Sequence, residues 1–318
     1  MLFDSCGDYV FYDGAMGTML QKSGSRPGER PDILNITAPH IVEDVHRSYV
    51  SAGSNIVCAN TFGANAIALA GTGYSPEEII SAGVRIAKRA CDGGAKVALD
   101  IGPTGQLLEP MGDLEFDRAI EIFAEQAIAG ERAGADYAAI ETMSDLTEIK
   151  AAIIAVVENT ALPVLASMTF DKTGCTFLGF TPEEFAQAAQ SLGAAAVGLN
   201  CSLEPAEMYE TAERIAKTTN LPLIIKPNAG LPDSLTGQYS IDPEEFAKQM
   251  IWFKKLKARP EKTENEKLKM ESGGLRGADN LQSSVSDCRL LIVGGCCGTT
   301  PEYVRAIKRA FLGDAQRI

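Results

Sequence analysis

The sequence has no apolar run approaching the roughly 20 residues that a membrane-crossing helix requires. Its first residues, MLFDSCGDYVFYDG, lack a basic segment followed by an apolar core, so they do not read as a secretory leader. Positive charge is in short supply: 29 Lys and Arg against 42 Asp and Glu give a formal net charge of −13. That balance argues against nucleic acid or an anionic membrane as the main partner. No G-x-G-x-x-G follows an expected strand, which removes the commonest dinucleotide signature, and none of the eight cysteines forms a C-x-x-C pair. Together these absences lead to the expectation of a cytoplasmic protein. Its cysteines would there be thiols, and a cluster of them points to metal binding or catalysis before cross-linking.

What is present is a regular alternation. Short β-rich runs occur at YVFYDG (9–14), NIVCANTF (55–62), KVALDIGP (96–103), YAAIETM (137–143), PVLASMTF (163–170), AAVGLNCS (195–202), LPLIIKPNAG (221–230) and LLIVGGCC (290–297). Helical patterns lie between them. SPEE (75–78), TPEE (181–184), DPEE (242–245) and TPEY (300–303) each offer an N-cap, a proline at the first helical position and an acid in the first turn. After the first of these, Ile80, Val84, Ala87 and Cys91 recur at helical spacing and predict one buried face. Eight β-then-α units, with strands too apolar to have a wet face, predict a (β/α)8 TIM barrel forming a single domain over 1–318. A doubly wound open sheet is the alternative architecture.

Sites in such barrels lie at the C-terminal ends of the strands. Those ends carry Asp13, Asn60, Asp100, Glu141, Ser167, Cys201, Asn228 and the pair Cys296–Cys297. A disulfide within the pair is a poor explanation, because neighbouring Cα atoms lie about 3.8 Å apart, below the usual disulfide span of about 4.4–6.8 Å. The flanking glycines suggest a bend that turns both sulfurs toward one point. With Cys201 they would supply three thiolates, a set that suits zinc with a fourth position open. Cys58, placed in mid-strand, and Cys91, on a helix face, read as buried core, as do Cys6, Cys175 and Cys288.

An open three-cysteine zinc site is suited to taking up a fourth thiol and removing its proton. Asp13 and Glu141 could then bind an ammonium group, and backbone N–H groups of DGAMG, including Gly14 and Ala15, could hold a carboxylate. That set describes an amino-acid thiol. Asp-Gly is also common turn chemistry, and Asn60, Asn200 and Asn228 have the alternative role of capping loop backbone.

DGAMGTMLQ, NITAPHIVEDVHRSYVSAGSNIVCANTFGAN, DIGPTGQLLEPMG, ETMSDLTEIKAA, SMTFDKTG, GLNCSLEP, KPNAGLP and GGCCGTTPEYV occur in that order from Asp13 to about Ala310. In them the chain resembles the homocysteine S-methyltransferases, most closely the homocysteine-binding domain of cobalamin-dependent methionine synthase. The resemblance implies a zinc enzyme that methylates homocysteine to methionine. By motif it makes Cys201, Cys296 and Cys297 the Zn2+ ligands and Asp13 and Glu141 the holders of the homocysteine amino group. It makes Asn228 the occupant of the fourth zinc position before substrate arrives; Gly14, Ala15, Asn60 and Asn228 are counted with Asp13 and Glu141 as candidate substrate-binding residues.

The folate, cobalamin and activation domains of such synthases do not follow the barrel here, so the methyl donor is expected to come from outside the chain. One candidate is methylcobalamin on a separate corrinoid protein; S-methylmethionine, used by stand-alone relatives, is the alternative. A zinc- or thiol-binding accessory subunit is the non-enzymatic alternative. A polar stretch at about 254–288, charged in front and rich in Gly, Ser and Asn behind, reads as a solvated insertion.

Overall fold

The computed structural model describes residues 3, 8–25, 28–233, 237–258 and 289–313. Eight strands are present: β1 (Tyr9–Phe11), β2 (Ile56–Cys58), β3 (Lys96–Ile101), β4 (Tyr137–Met143), β5 (Val164–Met168), β6 (Ala196–Asn200), β7 (Leu223–Lys226) and β8 (Leu291–Val293). All strand pairs are parallel, in the order β1-β8-β7-β6-β5-β4-β3-β2. The ring closes between β1 and β2 through a Tyr12–Ile56 bridge, with Asn55 N–H donating to the Phe11 carbonyl at 2.6 Å and Asp13 N–H to the Ile56 carbonyl at 3.1 Å.

Two short helices, α1 (Met16–Lys22) and α2 (Leu34–Thr37), precede the outer ring. That ring is α3 (Pro39–Ala52), α4 (Pro76–Cys91), α5 (Phe116–Ala133), α6 (Leu146–Asn159), α7 (Pro182–Ser191), α8 (Pro205–Thr218), α9 (Pro243–Met250) and α10 (Pro301–Leu312), one after each strand. The expected (β/α)8 barrel is the observed fold, and no described helix is long and apolar enough to cross a membrane.

The helix starts follow from local chemistry. Ser75 and Thr181 form reciprocal capping boxes with Glu78 and Glu184, and Asp242 accepts from Glu245 N–H at 2.9 Å. Thr300 departs from the expectation: its hydroxyl donates to Glu302 and caps no backbone N–H. Ile80, Val84, Ala87 and Cys91 are all buried, as their spacing predicts.

Strand side chains alternate between two cores. One face packs against the helices; the other fills the barrel with Val10, Ile56, Ala98, Leu165, Ala196 and Ile224. Phe3 stacks on Tyr137 at 5.6 Å within this inner cluster. Two residues farther along, period-two alternation brings Tyr12, Cys58, Asp100, Glu141 and Lys226 to the upper layer of the barrel, where strand ends meet loops. Residues 251–257 form a 3-10 helix that buries Phe253 and Leu256. The front of the expected insertion, 254–257, is therefore packed structure, and its remainder from 259 to 288 lies outside the described residues.

Candidate active site

The C-terminal mouth holds a cavity of about 360 Å3 lined by two chemically different walls. One wall is sulfur. Cys201 follows β6, and Cys296 and Cys297 lie in the loop after β8, not within the strand as their run suggested. Their three sulfurs all lie within 4.8 Å of one another, with Cys201 and Cys297 at 3.9 Å.

The loop after β7 joins these segments. The Lys226 carbonyl accepts from Cys201 N–H at 3.0 Å, the Pro227 carbonyl from Cys296 N–H at 2.8 Å, and Ala229 N–H donates to the Cys297 carbonyl at 3.0 Å. The glycines around the pair are sterically required. A Cβ on Gly295 would sit 2.4 Å from Thr299, and Gly298 has φ 83° with the Tyr239 ring 2.3 Å from where a Cβ would be.

The thiols do not ionise independently. Hydrogen bonds from Cys296 and Cys297 pull the Cys201 thiol far below its usual range, against burial. The bonds to Cys201 push Cys296 and Cys297 up. The trio therefore titrates as a set, and a dication with soft-ligand affinity would displace the protons it holds. Beside it, the Asn228 amide hydrogen-bonds Cys201, while its buried Oδ1 has no hydrogen-bond partner among the described residues. Clustered thiols and an orphaned carbonyl oxygen fit a tetrahedral metal such as zinc.

The second wall is acidic. Asp13, Asp100 and Glu141 surround Lys226, whose ammonium lies 2.5 Å from Glu141 Oε2, 3.8 Å from Cys58 Sγ and 4.3 Å from the centre of the Tyr12 ring. Burial alone would lower the Lys226 pKa; the acidic groups packed around it, among them Cys58 and Glu141, outweigh it and raise the value. Asp13 Oδ2 accepts from Cys58 N–H at 2.8 Å, while its buried Oδ1 has no partner among the described residues. Burial, opposed by Lys226, pushes the Asp13 carboxyl up to about 7. Asp100 is raised well above the carboxylate range by burial and then by Glu141.

Cys58, Asp100 and Glu141 also bring three donor atoms within 4.8 Å. Lys226 already places a positive charge on two of those donors, so this trio is a poor metal site and the sulfur trio the better one.

All nine sequence-predicted site residues lie at the barrel mouth, and Asp13, Gly14, Ala15, Asn60, Glu141, Cys201, Cys296 and Cys297 line the cavity. Several details differ from expectation. Glu141 is already paired with an ammonium of the chain itself, that of Lys226. The Ala15 N–H donates to the Thr299 carbonyl at 3.2 Å, so it is not free for a substrate carboxylate. Asn60 donates to the Pro31 carbonyl at 2.6 Å and to Asn35 at 3.0 Å, which is loop support. Cys58 ends its strand and faces the cavity, because β2 is shorter than the run 55–62.

Lys226 was missed; the available signal was a lysine in phase with Ile224 on a strand otherwise buried throughout. Glu141 sits at an irregularity, since the β4–β5 register shifts between Ile140 and Met143 and Thr142 has φ 62°.

Comparison with known proteins places this geometry. The family described as Homocysteine S-methyltransferase matches residues 10–311. Methionine synthases of Mycobacterium leprae and Mycobacterium tuberculosis are each 30% identical over 94% of the chain. The chain spans only 24% of the length of those relatives. Among solved structures, the oxidized form of homocysteine methyltransferase MmuM from Escherichia coli superposes with a TM-score of 0.74 at 19% identity, covering 95% of both chains. Its metallated form gives 0.71 at 19%, covering 95% of this chain and 96% of that one. At such identity the superposition speaks for the fold alone.

Proposed function

We propose that this chain, which belongs to the homocysteine S-methyltransferase family, methylates homocysteine to methionine with Zn2+ held by Cys201, Cys296 and Cys297. The observation that carries the reading is the junction in one cavity of a three-sulfur cluster and a buried acid with a free oxygen. When bound, zinc supplies the positive charge that lets a substrate thiol lose its proton near neutral pH, where a free thiol with pKa of about 8.5 is only a few per cent ionised.

The chain's own residues do the rest. Three cysteine ligands keep the centre electron-rich, which preserves nucleophilicity in the bound sulfur. Asp13 offers its unpartnered Oδ1 to the substrate ammonium, and Glu141, tied to Lys226, shapes the same wall. Burial of these groups removes competing water and fixes the sulfur for attack on a methyl carbon. A new S–CH3 bond forms as the donor's bond to that methyl breaks, its electron pair remaining on the donor.

The donor we propose is methylcobalamin carried on a corrinoid protein, in keeping with the similarity to methionine synthases. S-methylmethionine is the competing donor, and an accessory subunit without turnover is the reading furthest from the assembled Asp13–Glu141–Lys226 wall. The proposal is tested by methionine formation from homocysteine with each donor in turn. Turnover with neither donor, despite homocysteine binding, would favour the accessory role.

A further inference from the structure

We propose that Asn200 is a positioning residue for the sulfur cluster: its side-chain amide sets the turn that presents Cys201 and directs an N–H onto Cys296. This rests on the zinc reading above and deepens it.

Asn200 ends β6 and is wholly buried. Its Oδ1 accepts from Thr142 N–H at 2.9 Å and from Ser167 Oγ at 2.8 Å. Its Nδ2 donates to Thr142 Oγ1 at 2.7 Å and reaches Cys296 Sγ at 3.9 Å. Two acceptor positions and two donor hydrogens are thereby all engaged. One side chain connects β4, β5 and β6 with the cysteine loop after β8.

The connection matters because both neighbouring segments sit in a sparsely populated backbone region. Thr142 has φ 62° and Cys201 has φ 63°, and neither is glycine. Such conformations persist only where surroundings hold them. Thr142 is held by two bonds to the Asn200 amide, its N–H donating to Oδ1 and its hydroxyl accepting from Nδ2. Cys201 is the next residue in the chain, so any shift of Asn200 moves the Cys201 sulfur directly. With a metal bound, the N–H aimed at Cys296 would also stabilise its thiolate beside the two others. Groups standing behind metal ligands in this way orient them and tune their affinity.

The test measures zinc affinity by competition with a chromophoric chelator for wild type, Asn200→Ala, Asn200→Asp and Ser167→Ala. It adds the thiolate-to-metal charge-transfer band after cobalt(II) substitution and the melting of the metal-free proteins. Asn200→Ala should weaken zinc about 10–100-fold, as expected for loss of a group supporting metal ligands. Ser167→Ala, which leaves the amide on Cys296, should stay near wild type. Asn200→Asp keeps both acceptor bonds but loses the N–H on sulfur, so its cobalt band should shift. If Asn200→Ala does not fold, that band decides.

A purely structural asparagine would lower metal-free melting while leaving zinc affinity and the band unchanged. Wild-type zinc affinity in folded Asn200→Ala, or an unshifted band in Asn200→Asp, overturns this inference alone. A wild-type chain that takes up no zinc overturns both this and the zinc reading.

Discussion

The two walls of the cavity have the same count of clustered donors and opposite electrostatics. Cys201, Cys296 and Cys297 are soft ligands whose ionisation is set chiefly by one another. Cys58, Asp100 and Glu141 form an equally tight trio, but Lys226 is built into it. Clustering of donors therefore does not identify a metal site; the balance of charge does. Where the chain supplies its own cation, the cluster is complete. Where it does not, as at the three cysteines, we propose that a metal ion supplies it. Asp13 lies within reach of the Lys226 charge but is bonded through one oxygen only among the described residues, and we propose it as the acid that takes an organic cation.

The largest expected effect comes from breaking the sulfur wall. Zinc should bind at one per chain, and Cys201→Ala, Cys296→Ala or Cys297→Ala should each reduce that stoichiometry sharply, since such sites bind with about 10–16 kcal/mol. Elemental analysis checks this, with circular dichroism showing that the barrel remains. Full zinc in all three variants would reassign the site.

Removing the internal cation should have the next largest effect. Lys226→Met leaves a buried carboxylate without its partner, at a cost of about 3–5 kcal/mol in urea unfolding. Adding Glu141→Gln should restore much of that stability, because the uncompensated charge is gone. If the double variant is no more stable than Lys226→Met, the pair is not the source of the loss.

Asp13 sharpens the comparison at smaller magnitude. Asp13→Asn should weaken homocysteine by about 1.5–3 kcal/mol, the worth of a charged hydrogen bond, and barely affect a thiol without the amino group. Equal weakening of both would make Asp13 a fold residue.

Its titration gives an independent readout on the substrate-free protein. The folded pKa of about 7 lies above the ordinary carboxylate value of 3.8. Between those values the folded state holds the proton and the unfolded state does not, so this group's contribution to stability falls as pH rises through that window and levels off above it. Asp13→Asn should flatten that part of the pH profile, measured by urea unfolding from pH 4 to pH 8, by up to a few kcal/mol. An unchanged slope would mean that Asp13 does not titrate as its burial implies.

The sequence made the barrel readable because each unit repeats the same physical pattern: an apolar strand, a loop, then a capped helix beginning with proline. The cysteine pair was readable because glycines on both sides have no reason to surround core residues. Lys226 was not, because a lysine just before a proline looks like the polar end of a strand. Only the three-dimensional ring shows that it points among three acids. Cys58 was misplaced by a strand that ends four residues earlier than its apolar run. The bonds made by Ala15 and Asn60 depend on loops from distant parts of the chain, Thr299 and Pro31, which local pattern does not bring together.

The central claim is that the sulfur wall takes homocysteine as a thiolate. Titration calorimetry of the zinc-loaded protein with homocysteine, in buffers of different ionisation enthalpy, tests it most directly. At pH 7 one proton should leave the thiol at each site, together with the part-proton that Asp13 holds at its pKa of about 7 and loses to the ammonium. Release should fall as pH passes the free thiol value of about 8.5. Homoserine, with a hydroxyl in place of the thiol, should bind weakly and release little. Homocysteine binding with no net proton release at pH 7 would contradict the account.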